Sequence, residues 1–227
     1  MNVSRVAIVL IIALVGVLYS MDITTDRGVA PQGETRTLTP VEIRSYYGER
    51  LSSVNDFHEN SISGPKEVDA GTYRLTIDGL TNRTMHYSYR DVLDSHPAYT
   101  KVITLHCVEG WDATILWEGV LVRDLIREAG ADIRANTVIL YARDGYSTSF
   151  PLEYFSQRDI IMAYRMNNVT LPAERGFPFQ LVAEDKWGYK WIKWIERIEL
   201  SDNRNYRGFW EQRGYSNTGD LTSGFFS

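Results

Sequence analysis

The sequence contains a single cysteine, Cys107, among 227 residues. One thiol cannot form an intramolecular disulfide, a CxxC zinc site or a four-thiolate iron–sulfur cluster, and it cannot attach a c-type haem. A lone cysteine is most often a small buried apolar side chain, although a thiolate also serves as a soft metal ligand or as a nucleophile. The residues around Cys107 are needed to distinguish between these three roles.

Histidine and positive charge are also scarce. The four histidines show no HExxH or HxH spacing, so a zinc hydrolase is poorly supported. The sequence has no GxSxG motif, no Walker lysine loop and no GxGxxG motif after a predicted strand, which argues against serine-nucleophile and phosphate-cradling sites. The net charge of -5 argues against a nucleic-acid partner, because such a partner requires a cationic surface.

An uncharged apolar run from Val6 to Tyr19 stands near the N-terminus, after Arg5 and before Asp22. This pattern is typical of a signal peptide or a short membrane anchor. The bulky Tyr19 disfavours a cleavage site at that point, so we favour an uncleaved membrane anchor at residues 1–21. Arg5 inside and acidic residues outside would place the following domain on the outer, extracytoplasmic face.

The rest of the chain is predicted to form one α+β domain. Residues 22–40 are rich in Thr, Asp, Gly and Pro and indicate a linker. The domain itself is expected over residues 41–200, with residues 201–227 as a C-terminal tail packed on it. Its short helices and strands are expected at these positions: helices Ser88–Leu93 and Leu121–Ala129; strands Tyr73–Gly79, Val138–Tyr141, Tyr146–Phe150, Ile160–Tyr164, Phe177–Val182 and Lys190–Leu200; a loop at Asn55–Asn60; and a helical turn or loop at Val41–Tyr47.

Cys107 is predicted to lie where a strand becomes a loop. The segment Val102–Cys107 is apolar and β-branched, with Ile103, Leu105 and Cys107 on one face. Functional residues commonly lie at such positions. Neighbouring residues of a strand point to opposite faces, so His106 is not expected to act as a base for Cys107.

The motif Cys107-Val108-Glu109-x-Trp111 is followed by other motifs in a fixed order. These are Trp117, Gly119-Val120-x-Val122-x-Asp124-Leu125, Asp144-Gly145-Tyr146-x-x-Ser149, Ala163-Tyr164-x-Met166-Asn167, Gly176-x-Pro178-x-x-Leu181-Val182 and Gly188-Tyr189-Lys190-x-x-Lys193-Trp194. Together they resemble the sulfite-oxidase-like molybdopterin enzymes, over about residues 50 to 200. The upstream Asn55-x-x-His58-Glu59 is similar to the Asn-x-x-Tyr-Glu segment of the periplasmic methionine-sulfoxide reductase catalytic subunit.

This resemblance implies a sulfite-oxidase-like molybdopterin-binding fold with mixed sheets and short helices. It further implies a molybdenum ion held by one pyranopterin dithiolene, with Cys107 as the metal ligand and catalytic residue. Asn55, His58 and Glu59 would hydrogen-bond the pterin. Four residues would lie at its phosphate: Gly188, Tyr189, Lys190 and, less strongly, Lys193.

One departure from the family pattern concerns cations. Where the family often has His-Gly-x-Pro-x-Arg, this chain reads Arg175-Gly176-Phe177-Pro178-Phe179-Gln180. We therefore hypothesise that Arg175 supplies the cofactor phosphate with the positive charge that Gln180 cannot. A dianion requires several convergent cations, so the loss also makes sulfite a weaker candidate substrate.

The resemblance implies two-electron oxygen-atom transfer on a small sulfur compound, with sulfoxide reduction slightly ahead of sulfite oxidation. No haem or flavin motif is present, so electrons would pass to or from an external protein, such as a quinone-linked membrane subunit. The alternative is a membrane-anchored binding domain that retained the fold without the cofactor. A binding module has no need of Cys107, Asn55 or Lys190, which favours the enzyme.

Overall fold

The computed structural model describes residues 40–226. The predicted anchor and almost all of the predicted linker lie outside these residues. Within the described range, no helix is both long enough and apolar enough to cross a membrane.

Twelve strands and three short α-helices are described between residues 40 and 226. The strands are β1 (Ser45–Tyr46), β2 (Glu49–Arg50), β3 (Arg74–Gly79), β4 (Met85–Ser88), β5 (Tyr99–His106), β6 (Asp112–Leu121), β7 (Thr137–Ala142), β8 (Ser147–Pro151), β9 (Ile161–Met166), β10 (Val169–Thr170), β11 (Gln180–Leu181) and β12 (Ile195–Ser201). The helices are α1 (Tyr89–Ser95), α2 (Val122–Ala129) and α3 (Leu152–Ser156).

The strands build two larger sheets and one small hairpin. One sheet has the order β10-β9-β6-β5, with β11 also paired to β9, and its described pairings are antiparallel. The other has the order β4-β3-β12-β7-β8, in which β12 pairs parallel with β3 and antiparallel with β7. Apolar side chains from these sheets and from the helices form one core cluster.

The β5–β6 hairpin positions Cys107. Its register runs from Tyr99 opposite Gly119 to His106 opposite Asp112, so Cys107 is the first residue after β5. On the inner face of β6, Ile115 and Trp117 are fully buried. Burying large apolar side chains stabilises the hairpin by roughly 1.5–3 kcal/mol each and holds its end in place.

Both longer helices follow their local sequence signals. Ser88 caps α1 by accepting from the Asp91 N–H at 3.1 Å, while the Asp91 carboxylate accepts from the Ser88 N–H at 2.8 Å. This reciprocal capping box fixes the start of the helix. Helix α2 buries one apolar face and ends at Gly130, whose φ of 71° is a conformation that glycine adopts without steric cost.

Two predicted strands are shorter than expected, and of the two alternatives for Val41–Tyr47 the structure shows the loop. This loop leads into a hairpin, in which Ser45 and Tyr46 pair with β2 and the turn holds Tyr47 and Gly48 at positive φ. Within the predicted strand Phe177–Val182, only β11 pairs, because Pro178 has no N–H to donate to a ladder. The predicted strand Lys190–Leu200 begins only at Ile195.

The late start of β12 has two causes. Gly188–Lys190 forms a 3-10 turn that directs Lys190 inward, and Trp194 adopts a left-handed φ of 52°. A bulky residue in that conformation interrupts a strand. Polar and apolar residues alternate before Ile195, but this alternation does not come from the pleat of a strand, since the side chain of Lys190 is buried in the interior.

Residues 202–226, here called the C-terminal segment, pack on the domain. Glu211 is 1% exposed, and its carboxylate accepts from the Thr148 hydroxyl at 2.6 Å. The Trp187 N–H donates to the Gly219 carbonyl at 2.8 Å and the Leu221 N–H donates to the Asp185 carbonyl at 2.9 Å. These bonds bind the segment along the 185–190 stretch.

Candidate active site

Cys107 lies in a tight loop between β5 and β6. Its N–H donates to the Trp111 carbonyl at 2.9 Å, and the Gly110 N–H donates back to the Cys107 carbonyl at 3.0 Å. Gly110 has a φ of 87°, which closes the turn. Cys107 is buried, and burial is the largest cause that raises the pKa of its thiol. A bound cation would be needed to favour the thiolate there.

A cavity of about 420 Å³ includes Cys107 in its lining. Ligand and cofactor pockets commonly have roughly 300–1,000 Å³. The wall combines the loop at residues 57–64, the Cys107 loop, the 174–194 stretch and part of the C-terminal segment. The predicted site residues His58, Glu59, Arg175, Gln180, Gly188, Tyr189 and Lys193 all lie on it.

His106 is directed to a different set of contacts from Cys107. Its Nδ1 lies 2.7 Å from the Asp112 carboxylate, and it is not among the residues that line the cavity. The structure therefore separates the two neighbours, as predicted from strand geometry.

Asn60 contacts the cysteine and was not predicted. Its side-chain amide lies 3.5 Å from Cys107 Sγ and donates to the sulfur. A hydrogen bond of this kind orients a thiolate and stabilises its negative charge. The sequence signal was available, because Asn60 directly follows the Asn55-x-x-His58-Glu59 motif.

The loop that carries His58 is held by Arg175. The guanidinium donates to the carbonyls of Val54 at 2.8 Å, Phe57 at 2.6 Å and His58 at 3.1 Å. It also lies 3.9 Å above the Phe57 ring, and the residue is 8% exposed. These contacts assign to Arg175 a structural role in the loop, which the phosphate hypothesis had not foreseen.

We expect Arg175→Ala to loosen this loop. Loss of charge-assisted hydrogen bonds to buried carbonyls should lower the free energy of unfolding by about 3 kcal/mol. Hydrogen exchange at residues 54–60 should accelerate, and cofactor content after purification should fall. Arg143→Ala, which removes a surface ion pair with Glu196, is the matched control.

Arg175→Lys separates the two roles of the arginine. Lysine keeps the positive charge but cannot satisfy three carbonyls with one rigid fork. If the contacts to the three carbonyls hold the loop, amide hydrogen exchange at residues 54–60 is as fast in the lysine variant as in the alanine variant. If charge toward a phosphate is what matters, the lysine variant retains normal cofactor content and contradicts the loop assignment.

Lys193 and Glu59 form an ion pair on the cavity wall. The Lys193 ammonium also donates to the Glu174 carbonyl at 3.1 Å and lies 4.3 Å from the centre of the Trp194 ring. Burial lowers the pKa of Lys193, while the hydrogen bond and charge of Glu59 raise it. The pair brings two predicted cofactor-binding residues together from segments 134 positions apart.

Lys190 occupies a different environment from the one predicted. It is fully buried and is not among the residues that line the cavity. Its ammonium donates to Glu211 Oε1 and the Ser149 carbonyl, both at 2.7 Å, and to the Asn217 carbonyl at 3.0 Å. Its three N–H donors are thus all used inside the protein.

Asn55 also stays outside the cavity lining. It is exposed, and its N–H donates to the Ser53 hydroxyl at 3.4 Å. Gln180, by contrast, is 4% exposed and reaches the wall. His58, Glu59 and Gln180 thus line the same cavity as Cys107, whereas Asn55 and Lys190 do not line it.

Gly188 permits a close approach of two segments. A Cβ at this position would lie 3.2 Å from the His106 carbonyl oxygen and 3.4 Å from Cys107 Cα. The His106 and Trp187 backbones form a parallel bridge at the same point. The absence of a side chain therefore keeps the 186–190 stretch against the cysteine loop.

Two larger sheets with short helices, and a cavity of cofactor size with one cysteine on its wall, are what a cofactor-binding α+β protein requires. The family model described as "Oxidoreductase molybdopterin binding domain" matches residues 62–210. The chain belongs to this family of molybdopterin-dependent oxidoreductases. His58, Glu59, Asn60 and Tyr215 lie outside that match, and it is the structure that places them on the cavity wall.

Individual relatives agree with the family. The chain is 34% identical over 157 residues to "Uncharacterized oxidoreductase YuiH" of Bacillus subtilis, covering 69% of this chain and 78% of that protein. It is 31% identical over 183 residues to "Putative protein-methionine-sulfoxide reductase subunit YedZ1" of Azospira oryzae, covering 81% and 64%. A sulfite oxidase of Gallus gallus is 26% identical over 199 residues, covering 74% and 43%.

A solved structure shares the fold. The sulfane dehydrogenase SoxCD from Paracoccus pantotrophus superposes with a TM-score of 0.63 at 20% identity, covering 84% of this chain and 58% of that one. The predicted sulfite-oxidase-like α+β fold and the predicted class of molybdenum-dependent oxidoreductase are confirmed. The chain spans less than two thirds of YedZ1 and of the Gallus gallus enzyme.

The cavity fits the cofactor that the family implies. Its volume suits a cofactor-sized ligand, and Cys107 offers the soft sulfur donor that molybdenum accepts. Cys107 would hold the metal. His58, Glu59, Gln180, Gly188, Tyr189 and Lys193 line the space in which the pterin would lie.

Proposed function

We propose that this protein reduces sulfoxides to thioethers. In this reaction the sulfur–oxygen bond breaks, two electrons and two protons are consumed, and the oxygen leaves as water. When bound, the molybdenum pyranopterin supplies two-electron oxygen-atom transfer. The names of the relatives support a sulfur substrate, since one is a putative methionine-sulfoxide reductase subunit and another a sulfite oxidase. The observation that favours the sulfoxide is the charge of the cavity.

Carboxylates outnumber cations on the described cavity wall. The acidic residues are Glu59, Glu109, Asp144 and Glu174, and the cationic residues are Arg175 and Lys193. Both cations are engaged already, Arg175 by three carbonyls and Lys193 by Glu59. Like charges disfavour an anionic substrate such as sulfite, whereas a neutral sulfoxide meets no such repulsion.

The chain's own residues support the reaction by holding and shielding its centre. Asn60 donates to Cys107 Sγ and so restrains the ligand sulfur. The Trp111 indole N–H donates to the Glu109 carboxylate at 3.3 Å, which fixes that carboxylate beside the cysteine. Trp191 and Tyr146, both buried, exclude water from the inner wall.

We further propose that residues 1–21 anchor the protein in a membrane, with the domain on the outer face, and that a separate electron-transfer protein supplies the two electrons. The apolar run after Arg5 supports the anchor. One relative is named as a subunit of a putative reductase, which supports a separate electron donor. An anchor would raise the effective concentration of a membrane-bound donor such as a quinone-linked subunit.

A two-direction assay tests the proposal. Protein purified after expression with cofactor supply, and checked for molybdenum by elemental analysis, should oxidise a reduced viologen dye when methyl p-tolyl sulfoxide is added. We expect kcat/KM for this sulfoxide to exceed that for sulfite, measured with ferricyanide as acceptor, by at least about tenfold, or ~1.4 kcal/mol. Faster turnover of sulfite would contradict the proposal, and protein without metal would favour the cofactor-free binding domain.

A further inference from the structure

The C-terminal segment contributes two aromatic residues to the cavity. Trp210 and Tyr215 both line it, and their rings lie 5.2 Å apart between centres. Tyr215 also meets the Tyr189 ring edge-on at 5.0 Å. The family match ends at residue 210, so Tyr215 belongs to a stretch that the family model does not describe.

This aromatic wall is held from behind by buried polar contacts. Lys190 and Glu211 pair at 2.7 Å, and both side chains are 0% exposed. The Tyr189 hydroxyl donates to the Ser216 carbonyl at 2.7 Å, directly beside Tyr215. A wall fixed on both sides of Tyr215 presents its ring in a defined position.

Aromatic faces favour particular substituents of a substrate. They offer apolar contact, ring–ring packing and favourable contacts with sulfur. A sulfoxide that carries only two methyl groups has little surface to place against such a wall. A sulfoxide that carries an aryl or long apolar group fills it.

Resting on the proposed sulfoxide reduction, we propose that Tyr215, together with Trp210, determines substrate specificity by selecting sulfoxides with a large apolar or aromatic substituent. Its ring contacts the substituent, while the reacting S=O group lies toward Cys107. Tyr215 therefore acts through binding, and its removal lowers discrimination between substrates.

Selectivity between two sulfoxides tests this role. We compare kcat/KM for methyl p-tolyl sulfoxide with that for dimethyl sulfoxide, using metal-loaded, full-length protein. Tyr215→Ala should lower the ratio of the two values about tenfold, mainly through a higher KM for the aryl sulfoxide. Tyr215→Phe keeps the ring and should keep the ratio, and Tyr99→Ala, an exposed tyrosine outside this cavity, is the matched control.

A binding measurement makes the test independent of turnover and of one variant's folding. Quenching of tryptophan fluorescence by methyl p-tolyl sulfide should show about tenfold weaker affinity for Tyr215→Ala, or for Tyr215→Leu if the alanine variant does not fold. An unchanged ratio and unchanged sulfide affinity overturn the specificity role while wild-type sulfoxide reduction stands. If wild-type protein with molybdenum reduces neither sulfoxide, the proposed function itself fails, and the specificity role fails with it.

Discussion

Replacing Cys107 by serine should abolish sulfoxide turnover and leave the purified protein without stoichiometric molybdenum. Serine offers a hard, weakly acidic oxygen where the site presents a soft sulfur, which molybdenum accepts as a ligand. The residue is small and lies at a strand end, so the fold should tolerate the change. Elemental analysis and turnover are measured on the same preparation.

The neighbouring histidine provides the control for this variant. His106→Gln changes a residue one position away whose side chain contacts Asp112 and does not line the cavity. It should bind molybdenum and turn over as the wild type does. Full metal content in Cys107→Ser, together with normal turnover, would contradict the role of Cys107 as metal ligand.

Breaking the buried ion pair should give the largest loss of stability. In Lys190→Met the carboxylate of Glu211 stays buried without its cation, and removal of one partner of such a pair costs about 3–5 kcal/mol. For a domain of this size Tm should fall by about 10 °C. Burial lowers the pKa of Lys190, while the charge of Glu211 opposes that shift and so favours the ammonium form.

A double-mutant cycle shows that the loss belongs to the pair. Lys190→Met with Glu211→Leu removes both charges and should recover most of the lost Tm, because no uncompensated charge remains. Arg134→Ala breaks an exposed pair with Asp132 and should change Tm little. If Lys190→Met matches Arg134→Ala in Tm, the buried pair contributes no special stability.

The sequence predicted the parts of the fold that depend on local signals. The sequence predicts helices over Ser88–Leu93 and Leu121–Ala129, and the structure has a capping box at the start of the first and Gly130 at the end of the second. The alternation before Cys107 predicts a strand end. These signals act over a few residues, and the structure retains them in α1, α2 and β5.

Other features depend on contacts between distant residues. The predicted strand through Lys190 starts late because a 3-10 turn directs the lysine inward, where it pairs with Glu211, 21 positions later. Arg175 contacts a loop 117 to 121 positions earlier in the chain, which no spacing in the sequence reveals. Tyr215 lies in a stretch whose sequence has no helical or strand periodicity, and only the tertiary fold brings it to the cavity.

The candidate site combines local and distant contacts in the same way. His58, Glu59, Gln180 and Lys193, which the sequence proposed as cofactor-binding residues, line one cavity with Cys107. Asn55 and Lys190 do not reach the cavity lining, because one remains on the surface and the other binds the C-terminal segment. Sequence motifs thus identify which stretches meet, and packing decides which of their side chains face the space between them.

The order in which the walls are synthesised has a consequence for maturation. Every other part of the cavity lies before residue 195, whereas Trp210 and Tyr215 follow β12 in the chain. The aromatic wall of the cavity is therefore completed last, after Glu211 has been synthesised and the C-terminal segment has folded back to pair it with Lys190.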